Sequence, residues 1–80
     1  MKIKTFTFNP FAENTYVVYD EETKDCIIID PGCYDSNEEK ILFNFISSKK
    51  LVPKRLINTH CHIDHIFGNN FVMKSWNIKL

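Results

Sequence analysis

An α/β (α+β) fold is predicted, in which a β meander is followed by a helix, a further strand and a second helix, and three observations carry the prediction. Short runs rich in β-branched and aromatic residues fill the first thirty positions, and apolar residues recur at helical spacing after residue 36. Further on, the apolar pair Leu56-Ile57 runs into Asn58-Thr59 and then into a cluster of metal-ligand residue types. That order puts the cluster at the carboxyl end of a buried strand, where α/β sheets carry their sites.

The elements follow in turn. Residues 3–8 read as a strand with Phe6 and Phe8 on one face, broken at Asn9-Pro10. Residues 15–19 and 26–29, joined by the polar stretch 20–25, make a hairpin. Ser36-Asn37-Glu38-Glu39 is a capping-box signature, and Ile41, Leu42, Phe45 and Ile46 recur behind it at helical spacing. This helix should end near Lys49, where Lys49 and Lys50 suit the negative end of its dipole. Pro53 marks the loop before the Leu56 strand. Residues 68–76 predict a second helix, with Phe67, Phe71, Val72 and Trp76 as an apolar stripe that belongs to the core. Ile78-Lys79-Leu80 begins another strand. There is no internal repeat, low-complexity segment or interdomain linker.

All three histidines fall in His60-Cys61-His62-Ile63-Asp64-His65, with a carboxylate interleaved. Neutral imidazole and carboxylate oxygen are the ligand set of zinc and similar borderline cations, and gathering them on one short segment leaves little entropy to lose on chelation. In extended chain alternate side chains share a face, so His60 and His62 can grip one ion while Cys61 points away. Asp64 and His65 are adjacent, and both can face the site only if the backbone turns near Ile63, where Asp64 is suited to cap a helix start. The spacing therefore predicts two neighbouring half-sites. Cys61 reads as a small buried filler, with sulfur ligation as the alternative.

The segment THCHIDHIFG resembles the signature H-x-H-x-D-H, followed by a nearby glycine, of the metallo-β-lactamase-fold hydrolases. Upstream, Glu13-Asn14-Thr15-Tyr16 and Ile28-Ile29-Asp30-Pro31-Gly32 look like the early strands of the glyoxalase II-like branch. The resemblance implies the amino-terminal part of a four-layer αββα sandwich, in the order β-β-β-α-β, metal loop, α, β. A complete domain of that kind has roughly 200 residues. His60 and His62 match the pair that binds the first metal, and Asp64 and His65 match ligands of the second. Asp30 matches an aspartate that supports the metal loop by hydrogen bonding from outside the ligand set. Turn chemistry alone accounts equally well for Asp30-Pro31-Gly32.

In that family later sequence supplies another histidine to each metal and a bridging aspartate, whereas residues 66–80 hold no histidine. Catalytic zinc sites ordinarily have three protein ligands plus water. Residues 1–80 are accordingly expected to be a partial domain, truncated at the carboxyl end, with no second domain. The implied chemistry is hydrolysis by a metal-bound hydroxide, with zinc as cofactor, two ions in the complete protein, and Asp64 both holding the second metal and orienting or accepting a proton. Iron or manganese suit similar sites. The branch favours a thioester or related ester-like small molecule, while lactones, β-lactams, phosphoesters and persulfides are handled on the same fold, and the fold does not choose among them. The alternative, from another class, is a non-catalytic metal-binding fragment or remnant.

Ten basic and ten acidic residues cancel, which leaves no electrostatic footprint for a phosphate backbone, so nucleic acid is not an expected partner. No stretch approaches membrane-spanning length, and Thr5, Thr7 and Asn9 interrupt the apolar core that a signal peptide would need. Three cysteines cannot all pair internally, and the expected compartment is a reducing cytoplasm. A truncated domain should also self-associate through its uncovered apolar surface.

Overall fold

A computed structural model describes residues 1–8, 13–33, 35–59 and 63–78, with the side chains of 63–68 and 70 outside the description. The elements are β1 (Lys2–Phe8), β2 (Glu13–Tyr19), β3 (Asp25–Ile29), α1 (Ser36–Ser48), β4 (Val52–Ile57) and α2 (Ile63–Trp76). The four strands form one sheet in chain order. Strands β1, β2 and β3 pair antiparallel, whereas β4 runs parallel to β3. Antiparallel neighbours need only a tight turn, but a parallel pair needs a crossover, and α1 supplies it.

Alternation sorts each strand into two faces. Phe6 and Phe8, Thr15, Val17 and Tyr19, Cys26 and Ile28, and Leu56 are buried, and their apolar members form one core with Leu42 and Ile46 of α1 and Val72 of α2. Aromatic contacts tie the layers together. Phe6 stacks on Phe8 at 5.3 Å and meets Phe45 of α1 edge-on at 5.5 Å, while Phe43 of α1 stacks on Trp76 of α2 at 5.6 Å. On the opposite face, Ile3 pairs with Val18 and Val18 with Ile27, while Tyr16 pairs with Ile29 and Ile29 with Ile57. These two apolar rows are half-buried or exposed, up to 68% at Ile3.

Several expected boundaries move. Asp35, not Ser36, caps α1, and its carboxylate accepts the Glu38 N–H at 2.9 Å. The same three-residue spacing works one position earlier, and Glu38 and Glu39 still fall in the first turn, where the helix dipole favours them. Pro53 lies inside β4 rather than before it. There β4 is the edge of the described sheet and its pairing with β3 shifts register, with Cys26 opposite Pro53 and Ile27 opposite Arg55. A strand edge beside a bulge tolerates a residue with no N–H to donate.

Helix α2 starts at Ile63, five residues before Gly68. Glycine inside a helix costs about 0.5–1 kcal/mol, less than the roughly 1.5–3 kcal/mol from burying one large apolar side chain, and Val72 of α2 is fully buried. Of the expected apolar stripe, Val72 is in the core and Phe71 and Trp76 pack against it, while the side chain of Phe67 lies outside the described residues. Ile78 has no regular secondary structure, and residues 79–80, where the next strand was expected to continue, lie outside the described residues. Among the described residues no helix is long and apolar enough to cross a membrane.

Candidate metal centre

Strands β3 and β4 are parallel neighbours, so their carboxyl ends meet at one edge of the sheet, where Asp30 directly follows β3 and Thr59 lies two residues past β4. The Asp30 N–H continues the pairing by donating to the Ile57 carbonyl at 2.8 Å. Its backbone then turns into the left-handed region, with φ at 52°. Aspartate tolerates this region better than most residues because its short polar side chain can bond locally.

Here the side chain bonds at long range instead. The Asp30 carboxylate is 3% exposed and accepts the Thr59 N–H at 2.7 Å through Oδ1 and the Thr59 hydroxyl through Oδ2. A buried carboxylate is costly unless donors satisfy it, and hydrogen bonds to a charged acceptor are the strong ones. On the other side, the fully buried Thr15 hydroxyl donates to the Asp30 carbonyl at 2.8 Å and accepts the Gly32 N–H at 2.8 Å. The Asp30-Pro31-Gly32 segment is thus a bracket between β2 and the residue that precedes His60.

His60, Cys61 and His62 lie outside the described residues. Asp64 and His65 stand in the first turn of α2, with side chains outside the described residues. The backbone does turn by Ile63, but Asp64 is the second residue of the helix and does not cap it. An acidic residue in the first turn of a helix suits the positive end of its dipole. The candidate ligand positions therefore run from the residue after Thr59, which is tied to Asp30, into the first turn of α2. A donor set of three imidazoles and a carboxylate fits zinc or a similar borderline cation.

Cys26 and Cys33 are free and buried, and burial pushes their thiols up from 9.0 to about 11 and about 12. Sequence reasoning passed over Thr15 and Thr59. Thr15 carried a signal, since it is a polar residue in phase with Val17 and Tyr19 on the core side of β2. Thr59 carried none.

The profile of the metallo-beta-lactamase superfamily matches residues 8–80. The chain belongs to the metallo-beta-lactamase superfamily. Over all 80 residues it is 31% identical to the probable metallo-hydrolase YqgX of Bacillus subtilis (strain 168), of which it spans 35%. It is 40% identical over 68 residues to a hydroxyacylglutathione hydrolase of Buchnera aphidicola subsp. Baizongia pistaciae (strain Bp), covering 85% of this chain and 24% of that one. It is 35% identical over 54 residues to the mitochondrial persulfide dioxygenase ETHE1 of Mus musculus, covering 68% of this chain and 20% of that one. The crystal structure of the BLEG-1 B3 metallo-beta-lactamase superposes with a TM-score of 0.83 at 28% identity, covering 96% of this chain and 34% of that one. The mixed α and β arrangement described above is therefore that of metallo-beta-lactamase structures. The chain spans about a third or less of the relatives it matches. Superfamily membership implies metal ions, and these relatives include both hydrolases and a dioxygenase.

Proposed function

We propose that residues 1–80 form the metal-holding part of a metal-dependent hydrolase that acts on a thioester or related ester-like small molecule. The observation that carries this reading is the buried Asp30 carboxylate clamping both donors of Thr59, the residue next to His60. Hydrogen bonds outside the ligand set orient ligands, and such a bond reaching across 29 residues is more than local turn chemistry requires. In this reading His60 and His62 hold one cation, and Asp64 and His65 contribute to a second. A bound zinc ion would supply Lewis-acid polarisation of a carbonyl and acidify water from a pKa of about 15.7 to about 7. The chain's own residues do the rest: Asp30 and Thr59 fix where the ligand segment begins, the first turn of α2 carries Asp64 and His65, and Asp64 orients or accepts a proton. Support for a thioester comes from the 40% identity to a hydroxyacylglutathione hydrolase.

The identity to a persulfide dioxygenase favours a second reading, oxidation of a persulfide, which needs a redox-active metal such as iron. One experiment separates them. The protein in its full natural length, stripped and reloaded with zinc or with iron(II), is given an acyl-glutathione thioester and a glutathione persulfide, and thiol release and oxygen uptake are followed. Thiol release with either metal and no oxygen uptake supports the hydrolase. Oxygen uptake confined to the iron form supports the dioxygenase, and metal binding with neither reaction leaves a non-catalytic metal-binding role.

A further inference from the structure

We propose that Thr15 is a positioning residue for the ligand segment, acting through Asp30 on Thr59; the metal arm of this inference rests on the function proposed above. Thr15 stands on β2 among core residues and is fully buried, yet its hydroxyl uses both of its hydrogen-bonding capacities. Its donor goes to the Asp30 carbonyl and its acceptor to the Gly32 N–H, so one oxygen spans the tripeptide whose middle residue, Pro31, has no N–H to offer. With Ile57 taking the Asp30 N–H, every hydrogen-bonding group of Asp30 then has a partner: N–H on β4, carbonyl on β2, and both carboxylate oxygens on Thr59.

The consequence is geometric. A left-handed φ on a residue with a Cβ persists where the surroundings over-determine it, and here the N–H and the carbonyl are both anchored on either side of that rotation. Removing the Thr15 anchor frees the carbonyl side and lets the carboxylate swing off Thr59. Valine has the shape of threonine without the hydroxyl, and serine has the hydroxyl without the methyl, so the two substitutions separate packing from positioning.

The test uses amide hydrogen exchange on the metal-free protein, with cobalt(II) titration followed by its absorption spectrum. Thr15→Val is expected to speed exchange at the Thr59 N–H by about tenfold or more while amides within α1 keep their protection. Cobalt(II) affinity should fall about tenfold, as losses of hydrogen bonds outside a ligand set do. Thr15→Ser should restore both. In an Asp30→Asn background Thr15→Val should weaken cobalt(II) binding no further, because both changes break one chain of contacts. Unchanged Thr59 exchange in Thr15→Val, equal behaviour of the valine and serine proteins, or additive losses in the double variant would overturn the role. If the valine protein does not fold, Thr15→Ala, which removes the hydroxyl without adding a methyl beside Gly32, takes its place in both measurements. A wild-type protein that binds no cobalt(II) would defeat the metal reading and leave the exchange measurement to decide on Thr15 by itself.

Discussion

Asp20 and Asp30 both sit just past the end of a strand and both accept backbone N–H groups, yet they do opposite things. The Asp20 carboxylate takes the N–H groups of Glu22 at 2.8 Å and Thr23 at 3.1 Å, within its own turn and in bonds exposed to solvent. Those backbone bonds, Thr23 first and Glu22 second, hold its pKa below 3.8. The Asp30 carboxylate is buried and takes Thr59, 29 residues away. Each turn also carries a non-glycine residue with positive φ, Lys24 at 69° in one and Asp30 itself at 52° in the other. The first aspartate closes a loop between β2 and β3. The second joins the ends of two strands of the sheet, next to the candidate ligand segment. What separates them is which partner the fold brings near.

The largest expected effect tests what the Asp30 bracket serves. His60→Ala with His62→Ala should lower zinc affinity at least 100-fold by calorimetry, since one face of the segment then has no imidazole; equal affinity would break the link between the bracket and a metal. Next, Asp30→Ala should cost about 1–3 kcal/mol in a urea melt by leaving the Thr59 donors without their buried acceptor, and should weaken zinc about 10–100-fold. Asp20→Ala should leave zinc affinity unchanged and cost less in the melt than Asp30→Ala, and a matching loss at both aspartates would erase the contrast between them. Asp30→Gly sharpens it further. Glycine adopts positive φ without strain, so this variant should regain about 1 kcal/mol over alanine and none of the zinc affinity.

A smaller effect comes with pH. Cys33 follows the Asp30 bracket directly and Cys26 lies on β3, both with folded-state pKa raised by burial. Between 9.0 and about 12 the folded protein holds protons that the unfolded chain has lost, so stability is independent of these thiols below pH 9 and falls as pH rises through that window. Urea midpoints at pH 8 and pH 10.5 check the sign, and a rise in stability would contradict the burial of both groups. The smallest expected change is in Cys61→Ala, for which bound zinc measured by atomic absorption should stay at the wild-type level; a large loss would show sulfur ligation.

Much of the architecture was readable because it repeats at short range. The strand runs, the hairpin and α1 follow from periods of two and of three to four residues. The candidate ligands were readable because four donors crowd into six positions. Boundaries were less so. Asp35 caps α1 by the same local spacing one position before Ser36, whereas Pro53 within β4 and the early start of α2 turn on neighbours in space, a bulge and a buried Val72. For the site, the ambiguity of Asp30-Pro31-Gly32 between a plain turn and a support for distant residues could not be lifted by spacing, since Asp20 shows the same residue type satisfied by its own turn.

By itself, then, the sequence determined the kind of fold and the chemistry of the candidate ligands, because periodicity and donor type are properties of a residue and its near neighbours. The tertiary structure alone decided that Thr15, Asp30 and Thr59 form one bonded chain. Their separations of 15 and 29 residues are closed only when β2, β3 and β4 lie side by side, and no local rule links positions that far apart until the sheet exists.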